Sequence, residues 1–212
     1  MPAATTKIRE FAEQGYTLAR GLFSQHEVEA LREHFLRINM EHRRVSDNIT
    51  DESDPLAQYP RVTQPHRWDE TSLNWMVDPR LNEWMTAILG REPYAVQTMF
   101  YFKSPGARGQ ALHQDQFYLR VAPGACVAAW MAVDRCDEEN GCLFVVPGTH
   151  DIPVLCTIDA DTDVSFSNDT VELPDGYEPT PLIMNPGDVL FFNGQLVHGS
   201  YPNATSDRFP AP

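Results

Sequence analysis

The sequence predicts a mostly β chain with flanking helices, in which an antiparallel barrel or jelly-roll core carries helices on its outside. Three observations lead there. Short runs rich in β-branched and aromatic residues recur beyond residue 94. Pro-Gly turns separate them, and amphipathic helical spacing is confined to the residues before them.

In the N-terminal part, Tyr16 to Arg20 reads as a short strand ended by Gly21. Ser24 and Glu27 form a capping box: the serine hydroxyl takes an orphan N–H while the glutamate reaches back. Behind it, Val28, Leu31, Phe35 and Ile38 recur at helical spacing and mark one buried face. A second helix is expected from Asp78, with Pro79 at its first position, to Gly90. Residues 45–70 have loop composition, and a connection of that length is often a lid or binding loop. Strands are expected over 98–102, 127–133, 143–146 and 189–192. The turns lie at Pro105-Gly106, Pro123-Gly124, Pro147-Gly148 and Pro186-Gly187. Residues 151–181 read as a second long insertion. The helical part spans about 1–93 and the β core about 94–212.

At 212 residues and roughly 150 per domain, the chain is expected to be a single domain. Its 42% hydrophobic content is enough to build a core. Lys and Arg number 16 against 30 Asp and Glu, a formal charge of −14. That balance argues against a nucleic-acid or anionic-membrane partner, since phosphate contacts need Lys and Arg. No apolar run approaches the ~20 residues that span a bilayer, and the first residues lack a signal-type apolar stretch. The expected setting is therefore cytoplasmic, with a small-molecule substrate and a monomer or homodimer. Cys126, Cys136, Cys142 and Cys156 form no Cys-x-x-Cys pair and read as thiols of a reducing compartment. Sequons begin at Asn48, Asn168 and Asn203 and are expected to be unused.

The chemistry centres on His113 and Asp115, a His-x-Asp pair. On a strand, residues i and i+2 share a face, so both side chains can reach one ion. His198 follows a clear strand and offers a third ligand. Two imidazoles and one carboxylate on one side of a metal make the facial triad of non-haem iron oxygenases and leave positions open. The dipeptide alone is unspecific. Seven histidines and 30 acidic residues in 212 give about one chance match.

The longer pattern is more specific. Phe11 to Tyr16 followed by Gly21 to Ser24, Phe102-Lys103, His113-Gln114-Asp115, Trp130 to Asp134, Asn140 to Leu143, Val146 to His150, Pro186 to Asp188 and His198 to Ser200 occur in one order. In these motifs, from about residue 9 to 208, the chain resembles the phytanoyl-CoA dioxygenase family of iron(II)- and 2-oxoglutarate-dependent oxygenases. The resemblance implies a double-stranded β-helix, a cupin-like jelly roll, with iron(II) held by His113, Asp115 and His198. It implies a hydroxylase that uses dioxygen and splits 2-oxoglutarate to succinate and carbon dioxide. Related halogenases carry a small residue in place of this carboxylate, so Asp115 favours oxygenation.

The cosubstrate's distal carboxylate needs a cation, best a bidentate guanidinium. Arg208, ten residues past His198 and the only Lys or Arg after Arg135, is the candidate. Family members usually run on for one or more strands here, whereas this sequence continues Phe209-Pro210-Ala211-Pro212. Either Arg208 is the anchor in a short chain, or the true anchor and a final strand are missing. Lys103, Ser200 and Trp130 are further cosubstrate candidates: a basic residue beside the His-x-Asp strand, a hydroxyl two residues past His198, and a wall. Tyr101, Phe117 and Tyr118 flank the presumed site. Two other readings remain open. His, His and Asp can also hold zinc with an open position, as in a hydrolase. The barrel can also be a metal-binding but catalytically impaired binding protein. The acidic stretch 159–178 lacks EF-hand spacing and reads as solvated.

Overall fold

The computed structural model describes residues 2–41, 59–122 and 124–208. Helix α1 (Pro2–Gln14) leads into strand β1 (Tyr16–Ala19) and helix α2 (Gln25–Glu41). After residue 58 come β2 (Val62–Thr63), a 3-10 turn at Pro65–Arg67, α3 (Glu70–Met76), α4 (Pro79–Leu89) and β3 (Met99–Phe100). Then follow β4 (Gln110–His113), α5 (Asp115–Leu119), β5 (Val127–Met131), β6 (Leu143–Val145), β7 (Thr157–Asp159), β8 (Asp169–Val171), β9 (Thr180–Pro181), β10 (Val189–Asn193) and β11 (His198–Ser200).

The helices start where the sequence places them. Glu27 accepts from the backbone and hydroxyl of Ser24 at 2.8 and 2.7 Å, and Val28, Leu31, Phe35 and Ile38 are all buried. Asp78 caps α4 by accepting from the Arg80 N–H, and Gly90 ends it with φ +67°. Helix α3 was not foreseen. Its cap is Asp69, which accepts from the N–H and hydroxyl of Ser72 at 2.7 and 2.6 Å, and the described part of the loop expected over 45–70 holds β2 and the 3-10 turn. The rest of that loop, with His42 and the Asn48 sequon, lies outside the described residues, as do Pro123 and 209–212.

Two antiparallel sheets form the β core, in the orders β1-β10-β5 and β4-β11-β6-β9. Among the described residues no ladder joins their edges, so of the expected barrel or jelly roll the chain takes the jelly roll of two sheets. The strand expected over 98–102 shrinks to β3, which pairs only with β2. Strand β10 is buried on both faces, and adjacent residues serve different layers. Val189 and Phe191 join the helix-side core, where Trp84 stacks on Phe191 at 5.1 Å and Phe35 on Phe100 at 3.9 Å. Leu190 and Phe192 point the other way, into a core of Ala132, Cys136, Cys142, Val145, Met184 and Leu196 drawn from both sheets. Each such side chain contributes about 1.5–3 kcal/mol of burial.

The turn at Pro186-Gly187 locks β10 to the N-terminal part. Gly187 has φ +86°, and a Cβ there would lie 2.0 Å from the Phe23 carbonyl oxygen. Next to it, buried Asp188 accepts from the Gly21 N–H at 2.7 Å, the Asn185 N–H at 2.9 Å and the Arg20 guanidinium at 2.7 Å. Burial alone would raise its pKa; the bonds from Asn185, Arg20 and Gly21 outweigh burial, and the carboxyl sits below its usual value. Asp188→Ala is expected to destabilise by about 2–3 kcal/mol, because it orphans two backbone donors. A lowered folded-state pKa means the contribution is present above the unfolded pKa and lost as pH falls through the folded value. The Tm gap between wild type and variant should therefore be full at pH 7 and narrow below about pH 4 in thermal melts.

Candidate metal centre

Strand β11 lies between β4 and β6, with His198 opposite His113 on one side and Val145 on the other. This pairing brings two residues 85 positions apart into contact, with ring centroids 4.1 Å apart and planes tilted by 49°. Close approach needs Gly199. A Cβ there would lie 2.6 Å from the Phe144 ring and 2.7 Å from the Gln110 carbonyl oxygen.

Asp115 arrives differently from the sequence reading. The strand ends at His113, Gln114 keeps an extended backbone (φ −124°, ψ 122°), and Asp115 opens helix α5. One extended residue is enough to keep i and i+2 on the same side, and a carboxylate suits a helix's first turn. Asp115 Oδ1 lies 3.7 Å from His113 Nε2 and 3.9 Å from His198 Nε2. The three side chains each offer one ligand atom within 4.8 Å of the others. Among the described residues this is the one such cluster, and the 159–178 stretch supplies none.

Both imidazoles are prepared for a metal. His113 Nδ1 is 2.9 Å from the Ala111 carbonyl, and His198 Nδ1 is 2.9 Å from the Leu196 carbonyl. A carbonyl only accepts, so each Nδ1 carries the proton and each Nε2 lone pair faces Asp115. Burial, reinforced by the neighbouring His198 ring, lowers the His113 pKa to about 3, so its imidazole stays neutral. Two imidazoles and a carboxylate suit a divalent first-row metal.

Two glutamines hold the ligand segments together, and neither stood out in the sequence. Gln114 is buried; its amide donates to the Gln195 carbonyl at 2.7 Å and accepts from the Leu155 N–H at 2.8 Å. The Gln116 N–H donates to the Gly194 carbonyl at 2.8 Å. Asp115 is thereby tied to the turn that leads into His198. A polar residue between two ligands, on the opposite face of the strand, was the available signal.

The cosubstrate candidates sit as follows. Lys103 is buried, and its Nζ donates to the Gly141 carbonyl at 2.9 Å, to Ser200 Oγ at 2.8 Å and to the Tyr201 carbonyl. Burial lowers its pKa to about 7, while three oxygen acceptors favour the ammonium form. Ser200 Oγ also accepts from the Gln110 N–H at 3.1 Å. Arg208 pairs bidentately with Asp137, at 2.9 and 2.7 Å. Trp130 is half-buried against the inter-sheet core and lines an apolar cavity of about 160 Å³ with Met99, Phe100 and Tyr101. Tyr118, 50% exposed, has its ring 6.3 Å from His113, one turn beyond Asp115. Buried Asn203 donates to the Lys103 and Arg208 carbonyls at 2.9 and 2.8 Å, so its side chain is committed inside the fold. Of the other described histidines, His34 bonds Asp69, His66 bonds Thr98 and His150 bonds the Ala12 carbonyl.

A family model described as Phytanoyl-CoA dioxygenase (PhyH) matches residues 11–209. The chain is 28% identical over 142 residues to "Phytanoyl-CoA dioxygenase 1" of Oryza sativa subsp. japonica, covering 65% of this chain and 50% of that protein. It is 26% identical over 210 residues to "Phytanoyl-CoA dioxygenase, peroxisomal" of Bos taurus, covering 91% and 62%. The chain thus spans half to three-fifths of the length of these relatives. Among solved structures, the epimerase SnoN in complex with Fe3+, alpha ketoglutarate and nogalamycin RO superposes with a TM-score of 0.77, at 18% identity over 99% of this chain and 82% of that one. That likeness establishes the shared fold.

Gly199→Ala tests the packing that seats His198. It is expected to lower Tm and to weaken metal binding at least tenfold in a titration with manganese(II). Gln114→Leu, which removes two buried hydrogen bonds at nearly constant volume, should destabilise by about 2–4 kcal/mol in chemical denaturation.

Proposed function

Because the chain belongs to the phytanoyl-CoA dioxygenase family, we propose that it is an iron(II)- and 2-oxoglutarate-dependent oxygenase that hydroxylates a small organic substrate. The observation that carries this is the convergence of His113, Asp115 and His198, with both Nδ1 atoms occupied by backbone carbonyls. Bound there with 2-oxoglutarate and dioxygen, ferrous iron supplies an oxidant that hydroxylates a C–H bond, while 2-oxoglutarate becomes succinate and carbon dioxide.

The chain's own residues have distinct tasks in this reading. His113, Asp115 and His198 would hold the ion through three side chains, which would leave further positions for the cosubstrate and dioxygen. Asp115 fills the position that a small residue would vacate for halide, which favours hydroxylation. Arg208 takes the distal carboxylate of 2-oxoglutarate, with its guanidinium matched to a bidentate partner. Ser200, whose oxygen accepts from Lys103, keeps its own O–H as a further donor, Lys103 contributes positive charge while its three N–H groups stay on protein oxygens, and Trp130 forms a wall. Tyr118 stands at the rim beside His113.

The reading as one dioxygenase domain, helical to about residue 93 and β beyond, is supported by a single family model over 11–209. Among the described residues no helix is long and apolar enough to cross a membrane. Four free cysteines suit a reducing compartment, and we read the protein as cytoplasmic. A charge of −14 supports a small-molecule partner over nucleic acid, for a monomer or homodimer.

Anaerobic addition of iron(II) and 2-oxoglutarate should give a weak visible charge-transfer band, and admitting oxygen should yield succinate. His113→Ala should abolish the band and cut metal affinity at least a hundredfold. A wild type with neither band nor succinate would overturn the reading, and turnover without oxygen or 2-oxoglutarate would favour a zinc hydrolase instead.

A further inference from the structure

Arg208, the anchor assigned to 2-oxoglutarate, already has a carboxylate partner in this fold. Its Nη1 and Nη2 donate to the two oxygens of Asp137 at 2.9 and 2.7 Å, the fork-to-fork geometry that a cosubstrate carboxylate would use. Glu139 lies 3.7 Å away as a weaker second partner. We infer that Asp137 is a positioning residue that competes with 2-oxoglutarate for Arg208 and thereby sets the cosubstrate concentration at which the enzyme loads. This rests on the oxygenase reading and on Arg208 as its anchor.

Both partners are held at the backbone, and the Asp137 carboxylate also accepts from the Asn140 N–H at 3.4 Å and lies 3.8 Å from the Arg135 guanidinium. The Asp137 N–H donates to Asn140 Oδ1 at 2.7 Å, and the Asp137 carbonyl accepts from the Cys142 N–H at 2.9 Å. The Arg208 carbonyl accepts from Asn203 at 2.8 Å. The two side chains are 33% and 21% exposed, so the guanidinium can exchange partners by rotation about its own bonds. Asp137 is held below its usual pKa, chiefly by the Arg208 hydrogen bonds, so it remains a charged competitor at neutral pH. The same turn reaches the second basic candidate, because Lys103 Nζ donates to the Gly141 carbonyl. One excursion of the chain thus occupies both cations proposed for the cosubstrate. Apparent affinity is the intrinsic affinity scaled by the fraction of anchor that is free.

The test is calorimetric titration of 2-oxoglutarate into manganese(II)-loaded full-length protein, which does not turn over. Asp137→Asn keeps an oxygen for the Asn140 N–H and removes the charge. It is expected to tighten 2-oxoglutarate binding roughly two- to tenfold with manganese affinity unchanged. The gain should vanish in the Arg208→Ala background, and Glu139→Gln should give a smaller gain. Unchanged or weaker binding in Asp137→Asn, beside a clear loss in Arg208→Ala, would overturn the competition and leave the anchor and the oxygenase reading standing. Equal gains in Asp137→Asn and Glu139→Gln would reduce the effect to general surface charge and overturn it. If Arg208→Ala binds 2-oxoglutarate like wild type, both the competition and the anchor fall, whereas failure to bind manganese in any form would strike the metal reading itself.

Discussion

The register of β11 between β4 and β6 is the constraint on which the site depends. It sets His198 opposite His113, and a slip of one residue would turn His198 to the opposite face of its sheet. Gly199 admits this register, since any larger residue would meet the Phe144 ring and the Gln110 carbonyl. The burial of the site follows from the register. Burial between the paired strands keeps the His113 imidazole neutral, and the carbonyl partners of both rings decide which nitrogen is left for a metal.

Electrostatics separates the polar residues around that register by the charge of their partners. The two histidines and Gln114 are buried and satisfied by neutral partners. Lys103 is buried against three oxygens, and Arg208 is one-third exposed with a full carboxylate pair. The two histidines and Lys103 are therefore fixed by buried, short-range geometry, whereas Arg208 is held by an ion pair that solvent and solutes can contest.

Much of the fold was legible because it is written in local chemistry. Ser24 and Glu27, Asp78 with Pro79, and Gly90 each mark a helix end through a side chain or a backbone preference, and all three stand where the sequence placed them. Helix α3 escaped because its seven residues carry little periodicity and its Asp69 cap sits amid loop-like neighbours. The jelly roll was legible as a class, but strand-like runs reveal only propensity, and the partners of β3 and the sheet edges are set by long-range contacts. At the site, the ligand residue types were readable, but the helical start at Asp115 was not, since one extended residue preserves the same geometry. The roles of Gln114 and Asn203 were hidden because a side-chain amide's value lies in partners that are distant along the chain, and that of Gln116 because it acts through its backbone N–H.

Strand β10 has a consequence of its own. Phe191 leans on Trp84 in the helical layer, and the next residue, Phe192, stands 4.6 Å from the His198 ring. Stripping away the first 93 residues would not leave a self-sufficient β unit: it would remove β1 from its edge of the sheet and bare Val189 and Phe191 to water. The helices act as the second wall of a shared partition, and engineering that treats them as a detachable accessory would loosen the histidine on the far side.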